Sequence, residues 1–166
     1  LIQACALERI DIALALLERK DIEVDLVNSK GKTALILASI NGMLSVVKKL
    51  IAKGADVNVQ ATDGNTALIQ ACALERIDIA LALLERKDIE VDLKDKHGDT
   101  ALLFASINGM LSVVEKLIAR GADVNIPDNY GNTALMVACT KKHTDVALAL
   151  LNVDGIEVDL VYKKGE

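Results

Sequence analysis

The sequence predicts an all-α solenoid of stacked helix-turn-helix units joined by β-turn fingers. Three observations carry that expectation. The tripeptide Thr-Ala-Leu recurs at Thr33, Thr66, Thr100 and Thr133, an almost constant interval, each time two residues after a glycine. The stretch Leu1–Leu26, LIQACALERIDIALALLERKDIEVDL, returns letter for letter at Leu68–Leu93. The 166-residue chain is 52% apolar and only 2% aromatic, so its core is Leu, Ile, Val and Ala, which lets helix backbones approach closely. Self-similarity at such a period marks stacked supersecondary units, each burying its apolar face on the next.

One unit, read from Asp63, justifies the elements in order. Gly64 supplies a turn position with positive φ. Thr66 is placed to cap a helix, its hydroxyl accepting from an otherwise orphaned backbone N–H. Ala67, Leu68, Ala71 and Cys72 recur at helical spacing and give a short first helix with a small-residue face. Glu75-Arg76 interrupts the apolar pattern at a turn. Ile77, Ile79, Ala80, Leu83 and Leu84 form the stripe of a second helix. Lys87-Asp88 ends it, and the extended segment IEVDL leads to the next glycine turn. The other unit type has clearer joints. Asn41-Gly42 and Asn108-Gly109 make its inter-helix turn. Gly54 and Gly121, each opening a GADVN motif, stand where a helix C-terminus takes a left-handed residue.

Two unit types that differ in length by a single residue therefore alternate. The expected division is a partial unit at 1–27, full units at 28–60, 61–94, 95–127 and 128–161, and the start of a further unit at 162–166. Together they read as one array, a fragment of a longer one.

A glycine turn, a helix, a tight turn, a second helix and an extended return, repeated at this period, resembles the ankyrin repeat. The resemblance covers the whole chain. It rests on the G-x-T-A-L entries, the A-S-I-N-G-M-L-S-V-V passages at Ala38–Val47 and Ala105–Val114, and the two GADVN exits. The chain departs from the family in two places. Where the family favours Pro after the Thr, this sequence has Ala34, Ala67, Ala101 and Ala134; where it favours His two residues later, Ile36, Ile69, Leu103 and Met136 stand. Losing that His removes a side-chain hydrogen bond and is expected to loosen the turns. The resemblance implies an ankyrin-repeat solenoid with units side by side at about 10 Å.

Catalytic, metal and cofactor chemistry finds no foothold. A net charge of −5 and a pI near 5.1 argue against nucleic acid as partner. The most apolar run, IDIALALL, is far shorter than a membrane span needs and contains an Asp, so no membrane insertion is expected. Cys5, Cys72 and Cys139 are evenly spaced, one to each double unit, with no paired spacing. They read as small core residues of an intracellular, cytoplasmic protein rather than as disulfides or reactive thiols. His97 and His143 stand apart from each other and match no catalytic signature. The expectation is a protein without catalysis, metal or cofactor.

The informative signal is where the two module copies differ. Between residues 27–68 and 94–135, 14 of 42 aligned positions differ, and ten of those lie in 27–32 against 94–99 and 59–63 against 126–130. Those windows are the turn fingers. Exposed helix residues such as Glu8 and Arg19 do not change. In the ankyrin family the fingers and the adjoining first helices form a concave partner-binding surface. Carried onto this chain, the resemblance implies Lys30, Lys32, Thr62, Asp63, Asn65, Lys96, His97, Asp99, Asn129, Tyr130 and Asn132 in the fingers. On the helices it implies Ile40, Asn41, Leu74, Asn108 and Lys141. Tyr130, the one aromatic in a finger, is an anchor candidate. The expected function is a scaffold that captures a protein partner on this surface. The alternative is a structural solenoid segment, or a filament subunit that self-associates through uncapped apolar ends.

Overall fold

The computed structural model describes residues 1–158. The finger start expected at 162–166 and the close of the unit ending at 161 lie outside the described residues. Ten α-helices, and no strand, are found among the described residues. They come in pairs: α1 Ile2–Ala6 with α2 Ile10–Leu17, α3 Ala34–Ile40 with α4 Leu44–Ala52, and α5 Ala67–Ala73 with α6 Ile77–Leu84. The last two pairs are α7 Ala101–Ile107 with α8 Leu111–Ala119, and α9 Ala134–Lys141 with α10 Thr144–Leu151.

The helices are short, so capping and packing hold them rather than length. Each of α3, α5, α7 and α9 begins at a threonine whose Oγ1 accepts the backbone N–H three residues on, from Ile36, Ile69, Leu103 and Met136 at 3.1–3.4 Å. Removing such a cap costs about 1 kcal/mol. The odd-numbered helices pack side by side as one layer and the even-numbered helices as a second. Between the layers lies one continuous core. Leu35, Ile36, Leu68, Ile69, Leu102 and Leu103 fill it from the first layer, Val46, Leu50, Leu83, Leu84, Val113 and Leu117 from the second.

Side chains also tie successive pairs together outside the core. The Asn58 amide donates to the Asp88 carbonyl at 2.7 Å and accepts the Glu90 N–H at 2.9 Å. Asn125 repeats this with Gly155 and Glu157 at 2.8 and 2.9 Å. In the second layer Lys49 pairs with Glu18 and Lys116 with Glu85, each at 2.8 Å.

Two sequence expectations, on Ile77 and Cys139, need correction. Ile77 is exposed, because as first residue of α6 it sits on the turn; the buried stripe is Ile79, Ala80, Leu83 and Leu84. The fingers have side-chain closure without the family's His: an Asn or Asp side chain closes three of them. The Asn28 Oδ1 accepts the N–H groups of Lys30 and Lys32, Asp95 those of His97 and Asp99, and Asp128 those of Tyr130 and Asn132, all at 2.8–3.0 Å. Cys139 is exposed, unlike Cys5 and Cys72, because no described helix pair follows to cover α9.

A candidate protein-interaction face

The fingers are joined to one another. The Thr62 N–H donates to the Lys30 carbonyl at 3.0 Å, the Lys96 N–H to Asp63 at 2.9 Å, and the Asn129 N–H to His97 at 2.9 Å. Thr62 Oγ1 and the Asn129 amide add bonds to Lys30 and Lys96 carbonyls at 3.1 Å. Each finger thus hands its tip carbonyl to the next. The glycines permit this closeness. A Cβ on Gly31, Gly64 or Gly98 would come within 3.0, 2.8 and 2.9 Å of the backbone of the following finger, and all three have positive φ.

This ladder sets four side chains at one register, one per finger: Lys30, Asp63, His97 and Tyr130. Lys30 and His97 are exposed, Asp63 is half-buried and Tyr130 is 72% exposed. Charge changes along the row. Lys30 and Lys32 make the first finger basic, Asp95 and Asp99 share the third with Lys94 and Lys96, and Asp128 is the one charged residue of the fourth finger's turn. Burial, and then the carboxylates of Asp95 and Asp128, push the Asp99 carboxyl above the usual carboxylate range. At Asp63 burial works upward too, but hydrogen bonds from Asn65 and the nearby Lys32 outweigh it and hold the carboxyl below that range.

Other predicted residues have internal work. Asn65 is buried, and the Asn132 amide donates to Asp128 at 2.8 Å inside its own finger. The half-buried Asn41 amide donates to the Cys5 carbonyl at 2.9 Å, and Asn108 does the same to Cys72, so both fasten neighbouring helices. Leu74 and Lys141 are exposed at the far ends of α5 and α9, away from the fingers. Thr62, Lys96 and Asn129 are exposed finger flanks, and Ile40 is half-buried at the C-terminal end of α3.

Sequence reasoning missed the residues one turn nearer the fingers than Ile40 and its counterparts: Gln70, Phe104 and Val137, all half-buried on the same helix face. A signal existed. Phe104 replaces Leu37 of the other copy, one of the few differences outside the fingers.

Thiol chemistry has no support in the first two modules. Burial pushes the Cys72 thiol up to about 12 and raises that of Cys5, which keeps both protonated. Among the described residues no three His, Cys, Asp or Glu side chains converge as a metal site would require.

Two helix layers, an H-bonded row of fingers and a half-buried inner face define a helical-repeat interaction module. The chain belongs to the ankyrin-repeat family. The family described as "Ankyrin repeats (3 copies)" matches residues 1–95 and 87–161. Similar proteins include neurogenic locus notch homolog protein 1 of Xenopus laevis, 34% identical over 121 residues, 73% of this chain. The same-named protein of Danio rerio is 33% identical over 136 residues, 82% of this chain. Ankyrin repeat and KH domain-containing protein mask-1 of Caenorhabditis elegans is 39% identical over 93 residues, 54% of this chain. The chain spans only 5%, 6% and 4% of the length of these three relatives. Ankyrin repeats are protein–protein interaction modules, and the family is typically non-catalytic. No helix among the described residues is long and apolar enough to cross a membrane.

Proposed function

We propose that the chain is a non-catalytic scaffold that captures a protein partner across its fingers and first-layer helices, with unit boundaries at 28, 61, 95 and 128. The finger ladder carries this reading. A continuous hydrogen-bonded backbone presents four different tips at one register, while the sequence of α1 and α2 returns unchanged in α5 and α6 and α4 differs from α8 at one position. Rigid display lowers the ordering cost of binding. Lys30 and Lys32 favour an acidic segment of the partner, Asp95 and Asp99 a basic one, and Tyr130 an apolar pocket. Replacing Lys30, Asp63, His97 and Tyr130 together by Ala is expected to abolish capture of the partner bound by the wild-type chain, with helicity and melting unchanged. Capture that survives this variant rejects the finger reading.

A second reading, a structural segment whose end units stack on further units, draws on one observation. Ile12 is exposed, whereas Ile79, its identical counterpart, is covered by the preceding pair. Stacking of this kind is open-ended, so sedimentation would show species growing with concentration.

A further inference from the structure

Among the described residues five helix pairs meet at four junctions, and the junctions are of two kinds. The pairs α3/α4 and α7/α8 turn through Gly42 and Gly109, the pairs α1/α2, α5/α6 and α9/α10 through left-handed Glu8, Glu75 and Lys142. The two types alternate, so every junction joins unlike pairs. Some contacts ignore the difference. Asp25, Asn58, Asp92 and Asn125 each accept a backbone N–H from the next return segment, at 2.9–3.1 Å.

Other contacts belong to one kind of junction alone. Where a glycine-turn pair follows a charged-turn pair, it reaches back with two side chains. Asn41 Nδ2 donates to the Cys5 carbonyl and Asn108 Nδ2 to the Cys72 carbonyl, both at 2.9 Å. Lys49 and Lys116 pair with Glu18 and Glu85 at 2.8 Å. Where the order is reversed, the later turn lies on the earlier glycine. A Cβ on Gly42 would stand 3.4 Å from the Arg76 guanidinium, and one on Gly109 2.6 Å from the His143 ring. His143 Nε2 also donates to the Ile107 carbonyl at 3.0 Å.

Like pairs make neither set. A charged-turn pair carries Leu74 and Ala82 at the places of Asn41 and Lys49. Set behind another charged-turn pair, it lacks the amide and the lysine, and its Arg or His crowds the Cβ of a Glu. A glycine-turn pair carries Met43 and Ala52 at the places of Arg76 and Glu85, so two in succession lose the cover over the glycine and the lysine's acid. The sequence repeats by the same step, since Leu1–Leu26 returns two units on, at Leu68–Leu93, and not one unit on. We propose that these contacts are a neighbour code: each unit type fits only the other, and the two-pair module is the piece that can change places. Stability in a stacked array resides in nearest-neighbour interfaces, so a wrong neighbour is felt directly. Each pair brings one finger, so the code decides which tips can stand side by side, whatever those tips bind.

Two rearranged chains of unchanged length and composition test this. Exchanging residues 28–60 with 95–127 trades the glycine-turn units and keeps every junction between unlike pairs. Exchanging 28–60 with 61–94 sets like pairs together at two junctions. The first chain is expected to melt within about 3 °C of wild type and the second at least about 10 °C lower. A point test reads the same contact should the second chain not fold. Gly109→Ala is expected to lower the melting midpoint more than Gly54→Ala, whose Cβ meets nothing within 4 Å, and the excess is expected to vanish in a His143→Ala background. A second chain that melts like wild type, a first chain as unstable as the second, or an excess that survives His143→Ala overturns the proposal.

Discussion

Leu1–Leu26 and Leu68–Leu93 have the same sequence and different surroundings. Everything governed by the chain itself is reproduced. Glu8 and Glu75 take the same left-handed turn, Arg19–Asp21 and Arg86–Asp88 form the same ion pair, and Glu18 and Glu85 meet the lysine of the next pair at the same 2.8 Å. Everything governed by the preceding pair differs. Ile12 is 43% exposed and Ile79 is 1% exposed. A recess of about 520 Å³ opens beside Leu1, Ile2, Ile22 and Val24, whose counterparts Leu68, Ile69, Ile89 and Val91 are buried. Turn geometry is therefore a property of the unit, and core energy a property of the junction.

The comparison breaks most visibly by core truncation. Ile79→Ala should cost about 2–5 kcal/mol in denaturant unfolding, and Ile12→Ala under about 1 kcal/mol, though the residue and its neighbours in sequence are identical. Equal losses would show that the two copies are held alike. Next come the glycines. Gly64→Ala places a Cβ 2.8 Å from Asp95 at a φ of 78°, while Gly54→Ala has the same sign of φ, 81°, and nothing within 4 Å. The Gly54 change should cost about 1–2 kcal/mol from backbone strain alone, and the Gly64 change more, because the finger ladder must open. Melting curves of the two variants measure the difference.

Smaller effects sharpen the same contrast. Glu8→Gly and Glu75→Gly each relieve a left-handed L residue and should stabilise by up to about 1 kcal/mol, equally in both copies. A gain at one copy only would mean the turn strain depends on neighbours. The smallest effects are those of pH. Hydrogen bonds from Lys49 and Lys116 hold the Glu18 and Glu85 carboxyls below the usual range. Their contribution is complete above the unfolded carboxylate value and is lost as pH falls through the folded value. Asp99 runs the other way. Its raised carboxyl disfavours the fold increasingly as pH rises through the unfolded value toward the folded one. Asp99→Asn should therefore stabilise slightly at neutral pH and leave stability at low pH unchanged.

The period, the paired helices and the threonine caps were legible because each depends on residues within one turn of one another. The row of fingers was legible too, since the module copies differ mainly there. What joins the fingers was not. The bond from the Thr62 N–H to the Lys30 carbonyl links residues of adjacent units through backbone atoms that every sequence carries. For the same reason Asn41 and Asn108 read as partner contacts, although their acceptors, the Cys5 and Cys72 carbonyls, lie on the neighbouring helix. Ile77 fitted a helical stripe by spacing and fell outside it because a helix's first residue points at the turn rather than the core.

Exchanging the fingers between copies is the most direct test of where partner capture resides. Residues 27–32 are swapped with 94–99, and 59–63 with 126–130, which keeps composition, net charge and every helix. The order of tips along the row changes and little else does. Capture of the wild-type partner is expected to be lost while helicity and the melting midpoint are retained. Undiminished capture by this folded, finger-exchanged chain would contradict the assignment of recognition to the fingers.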